Sequence, residues 1–171
     1  PTARGSGIDI DVRRDHPYAA YRYIEFKVPV YDEGDVYSRV MVRYEEVLES
    51  IKMIEQLVKD MPKTPIVVEE HEFKPLGMGI GYTEAPRGEN MHFVILGKDN
   101  KVYRWKVRSP TYNNIPSLYI MLKNHYLADA PAIIASIDPC FSCTDRVIVV
   151  DIRNRSRRIL NLSYINRYVG R

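Results

Sequence analysis

Cysteine is scarce: the 171-residue chain has two, Cys140 and Cys143. A disulfide framework needs more of them, at wider spacing. One Cys-x-x-Cys pair suits a reducing compartment, where it serves redox or metal chemistry more often than structural bridging. Histidine is also sparse, and His16, His71, His92 and His125 stand alone without paired ligand spacing. They read as ordinary surface or core residues. No charge-free run reaches the ~18 apolar residues of a membrane span. No basic n-region leads into an apolar h-region, so neither a membrane helix nor a signal peptide is expected. A net charge of +3 is too mild to argue for nucleic acid. Internal repeats and low-complexity segments are lacking.

What is present is enough for a core. At 45% apolar residues wholesale disorder is excluded, and the length suits one domain, residues 1–171. The first residue is Pro1, so the chain is expected to be processed or part of something longer. Charge is unevenly placed: residues 146–171 carry seven Arg and one acid. Such a basic tail suits an acidic partner, a membrane surface or RNA, or is simply a solvated, flexible end.

Gly34 to Met61 holds the clearest element. Val36, Val40, Tyr44, Val47, Ile51, Ile54 and Val58 step by three and four, which places them on one face of a long helix. Asp32, Glu33 and Asp35 put negative charge at its start, and Pro62 stops it. That stripe predicts a core or bundle helix. Tyr21–Val30 alternates well enough for a strand or an extended arm. After the short apolar run Ile66–Val68, Gly77, Gly79 and Gly81 read as a glycine-rich loop; no helix follows at once, so a dinucleotide fingerprint fails. Met91–Leu96 and Lys101–Arg108 predict a β-hairpin around Gly97–Asn100. Ser109-Pro110-Thr111 ends the second strand. A helix is expected over Ile115 to Leu127, broken at Pro131, and Val147–Ile152 reads as a buried strand. The sum is an α+β chain.

Cys140-Phe141-Ser142-Cys143 is the strongest local signal, because the turn between two such thiolates lets both grip one metal. A structural zinc site needs four ligands, and no second pair exists in this sequence. A thioredoxin-like motif would open a helix, whereas here Thr144-Asp145-Arg146 leads into a strand-like run. Any metal must therefore take further ligands from outside these residues. Arg87, between Pro86 and Gly88, could aim at an anion or metal-bound ligand, or be a surface arginine. Asp138 could pair with it through a charge-assisted bond, or cap a turn.

Several segments now coincide: Arg4-Gly5-Ser6-Gly7-Ile8-Asp9-Ile10-Asp11-Val12-Arg13-Arg14, Glu33-Gly34-Asp35-Val36-Tyr37, Glu84-Ala85-Pro86-Arg87-Gly88-Glu89, Ser109-Pro110-Thr111, and Asp138-Pro139-Cys140-Phe141-Ser142-Cys143-Thr144-Asp145-Arg146. In this order they resemble the C-terminal half of the large, catalytic subunit of energy-converting, membrane-bound nickel–iron hydrogenases. That family is related to the quinone-pocket subunit of respiratory complex I.

The resemblance implies roles by position. Cys140 would be a terminal nickel thiolate, and Cys143 would bridge nickel and iron. Arg87 would lie over the open face of the metals with Asp138 behind it. Thr111, or less well Ser109, would hydrogen-bond a cyanide of an iron that carries cyanide and carbon monoxide. The reaction implied is formation or heterolytic cleavage of H₂, coupled to ferredoxin electrons and ion translocation. The implied partners are an iron–sulfur small subunit with Fe–S clusters, the N-terminal half carrying the other Cys-x-x-Cys, membrane antiporter-like subunits and ferredoxin. Such a subunit sits peripherally on the cytoplasmic side of the cell membrane. Two departures open alternatives: the second cysteine pair is absent, and the family's precursors are cut after the position of Arg146, whereas residues 147–171 continue here. A nickel-free relative passing ferredoxin electrons to sulfur compounds or quinone is one alternative; a non-catalytic scaffold is the other.

Overall fold

A computed structural model of the chain describes residues 1–67, 77–98 and 101–144, with the backbone of 146–151 and 156–161. Its helices are α1 (Val12–Asp15), α2 (Val36–Lys59), α3 (Pro110–Asn114), α4 (Leu118–Met121) and α5 (Ala130–Ser136). Its strands are β1 (Gly77–Ala85), β2 (Gly88–Leu96), β3 (Val102–Arg108), β4 (Arg146–Asp151) and β5 (Ser156–Asn161). The fold is α+β, as expected.

The α2 helix starts where its sequence provides a cap. Asp35 accepts the Ser38 N–H at 2.7 Å, which satisfies a donor the helix itself cannot. Gly34, with φ +68°, makes the turn that precedes it. Asp60 closes the helix two residues before Pro62.

The orientation of α2 differs from expectation. Val40, Tyr44, Val47, Ile51, Ile54 and Val58 are 42–64% exposed. The buried positions are instead Ser38, Arg39, Val42 and Met53. Arg39 makes the central tie: Nε donates to Ser136 Oγ at 2.8 Å and Nη1 to the Gly34 carbonyl at 2.6 Å. Its aliphatic stem lies against Gly5, where an added Cβ would come within 2.9 Å of Arg39 Cγ. The described core is small: Val12, Val42, Met53, Ile133 and Ile137, interleaved with buried polar groups.

Residues 24–30 form an extended arm rather than a strand. Their backbone bonds go to α2 side chains: the Lys27 N–H to Glu49 at 3.0 Å, and the Glu25 N–H and carbonyl to the Gln56 amide. Those side chains take the place of a neighbouring strand.

The antiparallel sheet has the order β1-β2-β3. β2 and β3 pair as the sequence predicts, Met91 opposite Arg108 and Val94 opposite Trp105. The glycine-rich segment is not a loop: it is β1, paired along β2 from Gly77–Leu96 to Ala85–Gly88. Three glycines lower its strand propensity and hide the alternation of Met78, Ile80 and Tyr82. Pro86 and Arg87 thus form the tip of a tight hairpin, closed by Gly88 at φ +122°.

The helix expected over Ile115–Leu127 is broken into short pieces. A 3₁₀ turn holds Pro116, and Asn124 takes a left-handed φ of +66°. Pro131 does not break a helix but sits in the first turn of α5, where its missing N–H costs nothing. β4 and β5 form a hairpin over most of the expected Val147–Ile152 strand. Ile152, the burial of that strand and the tail beyond Asn161 lie outside the described residues, as do Val68, His71, Asp99 and Asn100. Ile66 and Val67 are exposed. Among the described residues no helix is long and apolar enough to cross a membrane.

Candidate active site

Cys140 and Cys143 lie in a turn just after α5, and both are free thiols. Asp138 redirects the chain with a left-handed φ of +55°, a conformation aspartate tolerates better than most residues. The turn is closed from within: Cys143 N–H donates to the Cys140 carbonyl at 3.2 Å, as does the Thr144 hydroxyl at 2.8 Å. The Ser142 hydroxyl is 3.1 Å from Cys140 Sγ. That contact, and then the N–H and thiol of Cys143, pull the Cys140 pKa down to about 7. The thiol is therefore ready to act as a thiolate near neutrality.

The two hydroxyls picked out from Ser109-Pro110-Thr111 meet the backbone of this turn. Thr111, only 1% exposed, accepts the Cys140 N–H at 3.3 Å. The Ser109 hydroxyl donates to the Cys143 carbonyl at 3.4 Å. A hydroxyl that accepts one bond keeps a proton to donate, so Thr111 can both brace the turn and face a ligand. Beside Cys143 opens a cavity of about 650 Å³, which Ser109 and Trp105 also line.

Arg87 reaches Asp138 from the β1–β2 hairpin tip. Its Nε donates to the Asp138 carbonyl at 2.8 Å and lies 3.4 Å from Oδ2. The Asn114 amide donates to the Arg87 carbonyl at 2.9 Å, fixing the hairpin tip against α3. The Asp138 carboxylate is shared rather than gripped by two nitrogens of one arginine: Arg43 Nη1, from α2, lies 3.5 Å from Oδ1. Arg87, Asp138, Thr111, Ser109 and the thiol turn thus meet, although three separate segments carry them.

Arg43 was not apparent from sequence, nor was the charged cluster next to it. Arg39, Arg43, Glu46 and Ser50 form a polar stripe at helical spacing on α2; that stripe, masked by the longer apolar one, is the signal that could have found them. Arg4 and Arg13 converge on Asp11 at 2.7 and 2.6 Å, and both also bond Glu46. Arg4 lies 3.4 Å from Glu84, whose other oxygen accepts the Val12 N–H at 3.2 Å.

Among the described residues no group of three or more His, Cys, Asp and Glu side chains is placed to hold a metal ion. The donor set is two soft thiols, one with a lowered pKa. That is half a four-thiolate site, and it suits a soft transition metal rather than a hard cation.

The class follows from a family match. The chain fits the family described as the 49 kDa subunit of respiratory-chain NADH dehydrogenase, over residues 1–78 and 70–146. It belongs to that family. Among its relatives, hydrogenase-4 component G of Escherichia coli K12 is 46% identical over 158 residues, 92% of this chain. Formate hydrogenlyase subunit 5 of the same organism is 39% identical over 98% of this chain. A chain in the structure of the membrane-bound sulfane sulfur reductase, an archaeal respiratory membrane complex, superposes with a TM-score of 0.75 at 33% identity and covers 81% of this chain. The chain spans 28% and 30% of the two hydrogenase subunits and 40% of the reductase chain. These relatives are parts of oxidoreductases, and the sulfane sulfur reductase is a membrane-bound complex.

Proposed function

We propose that the chain is part of the catalytic large subunit of a membrane-bound, energy-converting nickel–iron hydrogenase. The observation that carries this reading is the meeting of the Cys140–Cys143 turn with Arg87 and Asp138, in a chain 46% identical to a hydrogenase-4 subunit. Cys140 and Cys143 hold one side of the metal centre; a second Cys-x-x-Cys from outside these residues holds the other. When bound, that centre supplies the heterolytic chemistry of H₂.

This chain's own residues prepare the site. Thr111 and Ser109 fix the thiol turn, and Thr111 keeps a proton to offer a cyanide ligand. Asp138 and Asn114 hold Arg87, so that its guanidinium presents positive charge to the reacting face without reorganising. The exposed apolar stripe of α2 packs against the remainder of the large subunit. Around it assemble an iron–sulfur small subunit, antiporter-like membrane subunits and ferredoxin, on the cytoplasmic side of the membrane.

A second reading, electron transfer to sulfur compounds or quinone without nickel, is favoured by the likeness to the sulfane sulfur reductase chain. Metal analysis of the intact native complex separates the two. Stoichiometric nickel, lost on Cys140→Ala, supports the hydrogenase. A complex with no nickel that still reduces sulfur compounds or quinone overturns it.

A further inference from the structure

The cluster around Glu84 is buried and rich in charge. Asp11, Glu84 and Glu46 are 0%, 7% and 12% exposed, and Arg4 and Arg13 are 3% and 10% exposed. Three carboxylates and two guanidiniums meet here, and Arg43 lines a cavity with Glu46 and Glu84. A buried carboxylate with few charged partners is costly to keep ionised, and binding a proton removes that cost.

The three acids are not equally able to take that proton. Asp11 accepts from Arg4, from Nε and Nη2 of Arg13 and from the Arg13 N–H, all within 2.9 Å. Glu46 meets both arginines. Glu84 has one arginine, Arg4, at 3.4 Å, and the Val12 N–H. Burial raises its pKa, against the pull of Arg4 and with the push of Asp11. The Tyr18 hydroxyl engages the Glu84 N–H rather than its carboxyl.

Glu84 also stands between two cavities. One, of about 430 Å³, is lined by Glu84, Glu46, Arg43 and Asp138 and so reaches the residue two before Cys140. The other, of about 370 Å³, is lined by Glu84, Arg87, Asp15 and His16. Asp15 and His16 are exposed, so this cavity leads outward. Of the residues lining these two cavities, Glu84 is the one common to both. Each cavity is large enough and polar enough for water.

We propose that Glu84 is a proton-transfer station between the cleft at Arg43 and Asp138 and the surface beside Asp15 and His16. One carboxylate oxygen takes a proton from water in one cavity, and the carboxyl releases a proton to water in the other; no electron passes through the residue. Arg4, Asp11, Arg13 and Glu46 hold it in place and set its charge balance. The proposal rests on the reading that proton-coupled redox chemistry occurs at the cleft.

The test uses the intact complex, with Glu84→Gln and Glu84→Asp. Infrared difference spectra of the parent across pH should show a protonated-carboxyl band that shifts in D₂O. Glu84→Asp should move that band and Glu84→Gln abolish it. Turnover should fall roughly tenfold to a hundredfold in Glu84→Gln, with an altered pH profile, and largely recover in Glu84→Asp. A parent complex that turns over H₂ without such a band overturns the station and leaves the hydrogenase reading intact, as does an assembled Glu84→Gln complex with parental turnover and pH profile. A Glu84 band in a complex that lacks nickel but reduces sulfur compounds supports the station and removes the hydrogenase reading.

Discussion

Replacing Thr111 with valine keeps the buried shape and removes one acceptor. The Cys140 N–H then loses the oxygen it meets at 3.3 Å. That bond is at the long end for N–H···O, so its loss costs about 1 kcal/mol of local stability rather than the fuller penalty of a tight buried bond. One kcal/mol corresponds to a ~5-fold change in an opening equilibrium. Amide hydrogen exchange at Cys140 should therefore speed up ~5-fold in Thr111→Val, on the same principle, while Thr111→Ser stays near the parent. The proposed hydrogenase reading would give Thr111 a further duty toward a cyanide on iron. That duty is felt only when metal is loaded, whereas the exchange rate also moves in the metal-free protein. Unchanged exchange in Thr111→Val would refute the view that this hydroxyl holds the thiol turn.

Gly5→Ala should destabilise the fold by about 1–3 kcal/mol, read from urea denaturation. The new Cβ would meet Arg39 Cγ at 2.9 Å and the Arg39 backbone at 3.2–3.3 Å, and backbone cannot move aside as a side-chain end can. A parental midpoint would show that Arg39 is less tightly seated than it looks. Asp35→Ala should lower stability in a pH-dependent way. The Ser38 N–H and hydroxyl hold the Asp35 pKa below its ordinary value, so the cap contributes above the unfolded pKa and is lost as pH falls through the lowered one. Denaturation midpoints of parent and variant should differ at neutral pH and converge in acid; a gap constant with pH would contradict the cap. Ser142→Ala should raise the midpoint pH of Cys140 alkylation in the metal-free protein above about 7, because it removes the largest contribution to the lowered pKa. An unmoved alkylation profile would sink that account.

Much of the architecture is legible in sequence where one local signal dominates. Gly34, Asp35 and Pro62 bracket α2, and polar turn residues separate β2 from β3. Failure came where two signals competed. β1 is glycine-rich in composition and a strand by pairing, and only its register with β2 reveals it. The inward face of α2 carries Ser38, Arg39 and Glu46, so polarity predicts solvent where the chain puts partners. For the site, the residues nearest the thiols carry motifs and are readable: Arg87, Ser109, Thr111, Asp138, Cys140 and Cys143. Arg43 and Glu84 depend on contacts across 95 and 72 residues of sequence, to Asp138 and Val12, which no local spacing encodes.

Arg39 also bears on how the protein opens. One side chain is bonded to Ser136, one turn before the thiol loop, and packed on Gly5, more than a hundred residues earlier. Loss of either segment strips the buried Arg39 side chain of a contact, its Nε bond to Ser136 or the packing of its stem on Gly5. The N-terminal 3₁₀ turn and the loop that carries Cys140 should therefore open as one cooperative unit. Exchange at these two segments should share a single free energy of opening, although more than a hundred residues separate them.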